Sequence, residues 1–335
     1  MKPLHIFYEE PNPDRWIKFD RYPRKLIRRL FRGPEPIGGV KRWFVNLIHG
    51  LDKLGYPYII NNYKKLSKNP CVWALVIGKP HVIEKIPNHI NIIYGPGIGS
   101  HPLEDNLFEK NNNIKHILIS SKWFKEMYDR DLPTPVPTSI WASGIDTNLW
   151  KPDQPKLLKG AILIYDKIRW DWDLYNEELL KPINKKLEKE GITIYYIKYG
   201  NYKEEQFRNL LSLVDGMIFL CEHETQGFAY LQTLSCDIPI LAWDRGGAWK
   251  DPAMYPHKVI FQNVSSVPYW NQDCGEKFKD FNEFESIFIL YWERVCNFEY
   301  SPRKYIIENF KLEDRAQAYI NLVNDITSHR ATSLD

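Results

Sequence analysis

The residues best suited to chemistry lie in the segment CEHETQGFAYLQTLSCDIPILAWDRGG, residues 221–247. Glu224 follows an apolar run that predicts a strand, and a carboxylate at the carboxyl end of a parallel strand can accept hydrogen bonds from hydroxyl groups. Gly227 opens a predicted helix, where the free amides of Gly227–Ala229 can bind a phosphate. Gln232 lies eight positions after Glu224, one turn into that helix. This spacing therefore indicates a site for a phosphorylated, hydroxylated ligand, although a lone Glu before a helix is more often a cap or a surface charge.

A second glycine pair, Gly38-Gly39, stands directly before the amphipathic stretch Val40–Leu54. Adjacent glycines at the start of a helix let the backbone approach a phosphate, and the helix dipole attracts its charge. A loop that binds no ligand explains the same pattern equally well.

Three motifs resemble cofactor or metal sites and fail on inspection. The run Gly95–Ser100 lacks the last glycine of a dinucleotide loop and contains a proline. Asp171-Trp-Asp173 begins a predicted helix and Asp129-Arg-Asp131 ends one, whereas a metal–diphosphate motif should follow a strand. We therefore predict no obligatory metal and no bound cofactor.

These residues are placed by apolar runs that alternate with amphipathic stretches, a pattern typical of parallel βαβ units. The apolar runs predict strands at Leu4–Tyr8, Tyr58–Ile60, Val72–Ile77, Ile90–Tyr94, His116–Ser120, Ser139–Trp141, Ala161–Tyr165, Ile192–Tyr199, Met217–Cys221 and Ile238–Ala242. Apolar periodicity predicts helices at Val40–Leu54, Lys122–Arg130, Leu174–Lys189, Lys203–Val214, Gly227–Cys236, Phe281–Cys296 and Leu312–Ile326. The Pro- and Lys-rich stretch Lys151–Gly160 predicts a linker between two Rossmann-like domains.

Length and composition indicate a protein of more than one domain and give no sign of nucleic-acid binding or of a membrane span. The chain has 335 residues, more than a single core of ~250–300 residues usually holds. Its net charge of +3 does not point to nucleic acid. Its five cysteines form no Cys-x-x-Cys pair, and no apolar run approaches the ~18 residues of a membrane span, so we expect a cytoplasmic protein with reduced thiols.

One segment is far more basic than the rest of the chain. Residues 15–32 carry eight basic side chains and one acidic one, interleaved with apolar residues. Such a stretch can lie on an anionic membrane surface, and a solvated helical face is the equal alternative.

The chain resembles glycosyltransferase family 4 over nearly its whole length. The donor-binding region of that family carries two glutamates with seven residues between them, a Cys-x-x-Pro strand and a Gly-Gly turn. Glu224, Gly227, Cys236, Pro239 and Gly246-Gly247 match it in register, and Gln232 replaces the second glutamate. Three further passages resemble the same family: 38–56, 142–152 and 301–323.

The resemblance implies an α/β protein of the GT-B type, in which two Rossmann-like domains face each other across a cleft. It implies an acceptor-side domain at 1–153, a donor domain at 154–311 and a C-terminal helix at 312–335 that returns to the first domain. It also implies a basic pair for the diphosphate, for which Lys167 and Arg169 are the candidates, and a loop histidine, His101, against the sugar.

The complete predicted site has two parts. We expect Glu224 and His101 to act at the reacting sugar. The predicted donor-binding residues are Gly38, Gly39, Lys167, Arg169, Tyr199, Gly200, Glu224, Thr225, Gln226, Gly227, Phe228, Ala229 and Gln232. Tyr199 and Gly200 are placed there to border the nucleotide base.

The function implied is the transfer of a hexose from a nucleotide-diphosphate sugar with retention of configuration. GDP-mannose is favoured from family usage and UDP-glucose is the alternative donor; the acceptor would be a glycan, glycoprotein or glycolipid. A sugar-nucleotide-binding module without catalysis and a Rossmann-type NAD-dependent oxidoreductase stay open as alternatives. A homodimer is the default expectation for assembly.

Overall fold

The computed structural model of the chain describes residues 2–10, 17, 20, 23–24, 38–68, 72–153 and 157–329. These residues form two compact units. The first contains the described residues up to Ser120, Tyr128–Ser143 and the described residues from Ala316 onward. The second contains Ser121–Met127 and Gly144–Arg315. Most of the basic segment 15–32 lies outside the described residues, and so does Cys71.

The described part of the first unit is built on a parallel sheet. Its strands are β1 (Leu4–Phe7), β2 (Tyr58–Ile60), β3 (Ala74–Val76), β4 (Ile92–Tyr94), β5 (Ile114–Ile119) and β6 (Thr138–Ile140). They lie in the order β2-β1-β3-β4-β5-β6, so the direction of winding reverses between β1 and β3. The helices are α1 (Gly39–Lys53), α2 (Tyr63–Ser67) and α3 (Leu107–Lys110), with 3₁₀ turns at Pro80–Lys85 and Glu104–Asn106. The next helix, α4 (Lys122–Asp131), belongs to the second unit up to Met127 and to the first unit from Tyr128 onward.

The second unit has its own parallel sheet. Its strands are β7 (Ala161–Lys167), β8 (Thr193–Lys198), β9 (Gly216–Cys221), β10 (Ile240–Trp243) and β11 (Gly275–Phe278), in the order β11-β10-β9-β7-β8. Its helical segments, in chain order, are α5 (Trp172–Tyr175), α6 (Lys181–Lys189), α7 (Glu204–Leu211), α8 (Phe228–Ser235), α9 (Phe281–Cys296) and α10 (Pro302–Asn309). A last helix, α11 (Leu312–His329), begins in this unit and belongs to the first unit from Ala316 onward. All six residues of β9 are buried, which explains why it is an uninterrupted apolar run in the sequence.

The predicted helix Leu174–Lys189 is not one regular α-helix. The segment consists of α5, a π-helical turn at Asn176–Leu180 and α6. Pro182 lies in the first turn of α6 and has no amide hydrogen to donate to the preceding turn. The widened turn before it is the usual way a helix accommodates such an interruption.

Two elements of the second unit were not predicted. Strand β11 pairs only with β10 and carries two charged residues, Glu276 and Lys277, so it lacks the apolar pattern of the inner strands. Helix α10 was not found by periodicity, because its buried residues, Pro302 and Ile306, give only a weak apolar pattern.

Residues 144–153 are held inside the second unit by α10. The Arg303 guanidinium donates hydrogen bonds to the backbone oxygens of Thr147 (3.0 Å), Trp150 (3.0 Å) and Ser235 (2.6 Å). The Ser235 hydroxyl also donates to the Trp150 oxygen at 2.6 Å. These bonds fix the entry of the chain into the second sheet.

Candidate functional site

The carboxyl ends of β7 and β9 meet where the second sheet reverses its winding. The chain passes from β7 to β8 on one side and then to β9 on the other, so β7 and β9 are neighbours. Loops that leave such neighbouring strands diverge and open a crevice, where ligands of doubly wound sheets bind. β7 ends at Lys167 and β9 ends at Cys221, three residues before Glu224.

Lys167 and Glu224 form an ion pair at this point. The Lys167 ammonium donates a hydrogen bond to Glu224 Oε1, and the two side chains are only 14% and 13% exposed. Burial opposes the charged form of Lys167, but the Glu224 carboxylate outweighs it and the pKa of Lys167 is raised. The pair lies in a partly dehydrated place, where electrostatic forces act strongly.

Tyr199 lies beside this pair. It follows β8, and its ring centroid is 4.3 Å from the Lys167 ammonium, a cation–π contact. Gly200 comes next, with φ of +84° and open space around its Cα, so the chain turns sharply there. The structure thus brings together three of the predicted donor-binding residues: Lys167, Tyr199 and Glu224.

The loop after β7 is held by a buried carboxylate. Glu222 Oε1 accepts hydrogen bonds from the backbone amides of Arg169 and Trp170, both at 2.9 Å, and Oε2 accepts a third from Arg169 at 3.1 Å. The Arg169 guanidinium is exposed and stacks on the Trp170 ring at 4.5 Å. Arg169 is therefore an exposed cation two residues after Lys167, and its side chain contacts Trp170.

His223 lies between the two glutamates in the sequence and among cations in the structure. Its ring stacks on Trp170 with a centroid distance of 5.1 Å, and Nε2 is 3.0 Å from the Lys250 oxygen. Burial, together with the positive charges of Arg245, Arg169 and Lys167, lowers the pKa of His223 to about 4. The imidazole is therefore neutral at physiological pH.

Helix α8 begins at the predicted glycine turn. Gly227 has φ of +81°, and a Cβ added there would lie 2.2 Å from the Tyr230 ring, so the position requires glycine. Its N-cap residue, Gly227, has no side chain with which to cap the helix. The positive end of the helix dipole lies at this turn and favours a nearby anion.

The remaining predicted residues of this segment lie along the same turn and helix. Thr225, Phe228 and Ala229 are partly buried, whereas Gln226 is 1% and Gln232 6% exposed. Their contact with a ligand stays a prediction.

The predicted residues of the first unit are placed as follows. Gly38 precedes α1 in an extended conformation, Gly39 is its first residue, and both are exposed with open space around them. They stand after β1, at the reversal point of the first sheet.

His101 is 1% exposed, and both ring nitrogens have partners within the first unit. Nε2 is 2.8 Å from Asp131 Oδ2, and Nδ1 accepts from the Leu103 amide at 3.2 Å. Burial lowers the pKa of His101 despite the nearby Asp131 carboxylate. A contact between this imidazole and a sugar stays a prediction.

Several residues around the site were missed by the sequence analysis. Glu222 and His223 were overlooked although they stand beside Glu224, and Arg245 and Lys250 follow β10 in the same region. The Arg245 guanidinium donates to the Ala248 oxygen at 2.7 Å, and the Lys250 ammonium pairs with Asp171 at 2.5 Å. Their position after a strand was the available signal.

Trp123 also lies at the site, but nothing in the sequence around it indicates this. It lies on the part of α4 that belongs to the second unit, and its indole donates to the Glu224 backbone oxygen at 2.9 Å. The two residues are 101 positions apart, and nothing in their local sequence links them.

The two Asp-x-Asp motifs have partners of their own. Asp171 binds Lys250, Asp131 binds His101 and Arg130, and Asp129 accepts from Thr138. Among the described residues, no group of three or more His, Cys, Asp or Glu side chains is arranged to hold a metal ion. Within the same residues, every helix is too short or too polar to cross a membrane.

Comparison with known proteins rests on structure. No protein-family model matches this sequence, and no curated protein matches it either. Sucrose-phosphate synthase from Thermosynechococcus elongatus superposes with a TM-score of 0.56 at 10% identity, covering 98% of this chain and 100% of that one. The apo lipopolysaccharide outer core galactosyltransferase WaaB gives 0.54 at 11% identity, covering 97% and 99%.

A third structure, Anabaena HepE in complex with UDP and glucose, gives a TM-score of 0.52 at 9% identity, covering 97% of this chain and 100% of that one. The chain spans only 58% of the pneumococcal O-GlcNAc transferase GtfA and 57% of TarM, two longer chains that it also matches. The architecture of two parallel-sheet α/β units matches sucrose-phosphate synthase, WaaB and HepE, and the chain therefore has the GT-B fold.

Proposed function

We propose that the chain is a glycosyltransferase that uses a nucleotide-diphosphate sugar, of the type found in glycosyltransferase family 4. The observation that carries the proposal is the partly buried Lys167–Glu224 ion pair at the reversal point of the second sheet. A cation for the diphosphate and a carboxylate for the sugar hydroxyls stand side by side there.

Each residue has a role in this proposal. Lys167 and Arg169 balance the charge of the diphosphate, and the amides of Gly227–Ala229 bind it at the start of α8. Glu224 accepts hydrogen bonds from the sugar hydroxyls, and Gln232 binds the ribose. Tyr199 and Gly200 border the base. Gly38, Gly39 and His101 of the first unit keep the ligand-binding roles predicted for them from the sequence.

The proposed chemistry is direct transfer with retention of configuration. The acceptor hydroxyl oxygen bonds to the anomeric carbon on the face from which the diphosphate leaves. The bond between that carbon and the phosphate oxygen breaks, and the departing phosphate takes the acceptor proton. The protein supplies positioning and charge stabilisation, so no enzyme nucleophile and no metal ion enters the scheme.

The donor is proposed on two grounds. GDP-mannose follows from the resemblance to glycosyltransferase family 4. UDP-glucose is the alternative donor, and the HepE structure, which contains UDP and glucose, supports it. Calorimetry with a panel of GDP and UDP sugars would decide between them, and NMR of the product would show whether the anomeric configuration is retained. No binding to any sugar nucleotide would refute the proposed function.

Replacing Glu224 with Ala tests the site itself. The variant should lose transfer activity by about 100-fold or more, because a hydrogen-bonding group at the reacting sugar is removed. The control is Glu276→Ala, which also removes an ion-paired carboxylate of the second unit, here the partner of Arg294 at 2.5 Å. Unchanged turnover in Glu224→Ala would exclude this residue from the site.

The acceptor is proposed only as a class. A glycan, a glycoprotein or a glycolipid would each present the hydroxyl that the scheme needs. Product analysis with each acceptor class, after the donor is known, separates them.

A further inference from the structure

Glu222 is a fully buried carboxylate that the proposed chemistry does not use. It follows the last residue of β9, it is 0% exposed, and its three hydrogen bonds described above go to two consecutive backbone amides of the loop after β7. That loop, 168–171, connects the Lys167 end of β7 to α5 and carries Arg169.

A buried charge at this position is costly for folding. Burial raises the pKa of Glu222, although the two amides and the Arg245 guanidinium favour its ionised form. The titratable and charged groups around it are Arg245 after β10, Arg169 after β7 and Cys221 on β9. Its oxygens are satisfied there by the backbone amides of the loop, so what Glu222 contributes is a pair of hydrogen-bond acceptors at a fixed place.

We propose that Glu222 is a positioning residue that clamps the loop 168–171 so that Lys167 and Arg169 present their cations to the diphosphate. The binding of a diphosphate by this loop rests on the proposed function, whereas the holding of the loop by Glu222 does not. The backbone amides of Arg169 and Trp170 already donate to Glu222. In this proposal the diphosphate is therefore bound by the side chains of Lys167 and Arg169.

The chain contains a matched control at the opposite end of the same strand. Asp215 precedes β9 as Glu222 follows it, and its carboxylate accepts from the backbone amides of Lys159 (2.8 Å) and Ala161 (3.2 Å) at the start of β7. Replacing Asp215 therefore removes the same kind of bond from the same pair of strands, away from the cations.

The first readout needs no ligand. Limited trypsin digestion with mass spectrometry measures cleavage after Arg169, which requires local opening of the loop. Glu222→Ala should raise the rate of that cleavage about tenfold or more. Glu222→Gln keeps Oε1 as acceptor of the two 2.9 Å bonds and should stay within about threefold of the wild type. Asp215→Ala should leave cleavage after Arg169 unchanged.

The second readout is affinity for the nucleoside diphosphate of whichever donor the wild type binds. Glu222→Ala should weaken it about tenfold, Glu222→Gln should restore most of it, and Asp215→Ala should leave it unchanged even where the thermal midpoint falls. If circular dichroism shows Glu222→Ala unfolded, Glu222→Asp replaces it, since the shorter side chain withdraws the carboxylate while keeping its charge.

Two results would overturn the clamp: wild-type cleavage after Arg169 in the folded Ala or Asp variant, or equal losses of affinity in the Glu222 and Asp215 variants. A wild-type protein that binds no sugar nucleotide refutes the proposed function instead, and the cleavage experiment still decides whether the clamp exists.

Discussion

At the scale of the residue, the proposed binding of both a diphosphate and a sugar depends on the Lys167–Glu224 ion pair. Each buried charge is acceptable only because the other is present. A diphosphate beside Lys167 would replace the carboxylate as its counter-charge. Glu224 would then be free to accept hydrogen bonds from hydroxyl groups, which is the arrangement that the proposed reaction needs.

His223 makes the stability of the protein depend on pH. Its pKa is about 4 in the folded chain, against ~6.5 in an unfolded one. Between these values the unfolded state binds more protons, so the free energy of unfolding falls as the pH falls from ~6.5 towards 4. The variant His223→Gln has no imidazole to protonate, so its free energy of unfolding should not fall in this way. The difference in free energy of unfolding between wild type and variant should therefore change by about 2 kcal/mol in favour of the variant from pH 7.5 to pH 5, measured by urea unfolding.

The direction of that change is the test. A difference between wild type and His223→Gln that stays constant over this pH range, or grows towards acid, would show that the imidazole is not held neutral by burial and by the surrounding cations.

At the scale of the element, the turn into α8 depends on a glycine. Gly227→Ala combines a left-handed backbone with an overlap against Tyr230, and should cost about 3 kcal/mol or more. Gly200→Ala is the matched control, since its φ of +84° is similar but nothing lies within 4 Å of the added Cβ. It should cost about 1–2 kcal/mol in urea unfolding. Equal costs would mean that the Tyr230 contact does not constrain this turn.

Arg303 on α10 is the second element-scale prediction. It satisfies three backbone oxygens from two separate stretches of the chain, so Arg303→Met should lower the free energy of unfolding by about 3 kcal/mol. Arg294→Met serves for comparison, because Arg294 pairs with side chains, Glu276 and Glu299, and should cost about 1 kcal/mol or less. The opposite ranking would mean that 144–153 is held by other contacts.

The elements themselves were largely predictable. Buried parallel strands such as β9 are continuous apolar runs, and α9 shows a clear helical period, so both were located from pattern alone. Strand β11 was missed because an edge strand with Glu276 and Lys277 does not need to be apolar. The π turn at Asn176–Leu180 was missed because periodicity does not register one widened turn.

At the scale of the whole molecule, the basic segment 15–32 gives the last prediction. Nearly all of it lies outside the described residues, so its role rests on charge and pattern. We expect the protein to bind vesicles that contain anionic lipid, and to release them as salt is raised past about 0.15 M, because that contact is electrostatic. A variant with Arg24, Lys25, Arg28 and Arg29 changed to Gln should bind less. Vesicle binding that does not change with salt, or no vesicle binding, would contradict an electrostatic contact between this segment and anionic lipid.

By itself, the sequence determined the class of the molecule: alternating strands and helices, two parallel-sheet units, and a chemical segment around Glu224. These properties follow from local periodicity and from the residues that turns require. The tertiary structure alone decided which side chains meet. Lys167 reaches Glu224 across 57 positions and Trp123 across 101, and Glu222 is buried against the loop after β7. Such pairings depend on strand order in the sheet, because neighbours in a doubly wound sheet are distant in the chain.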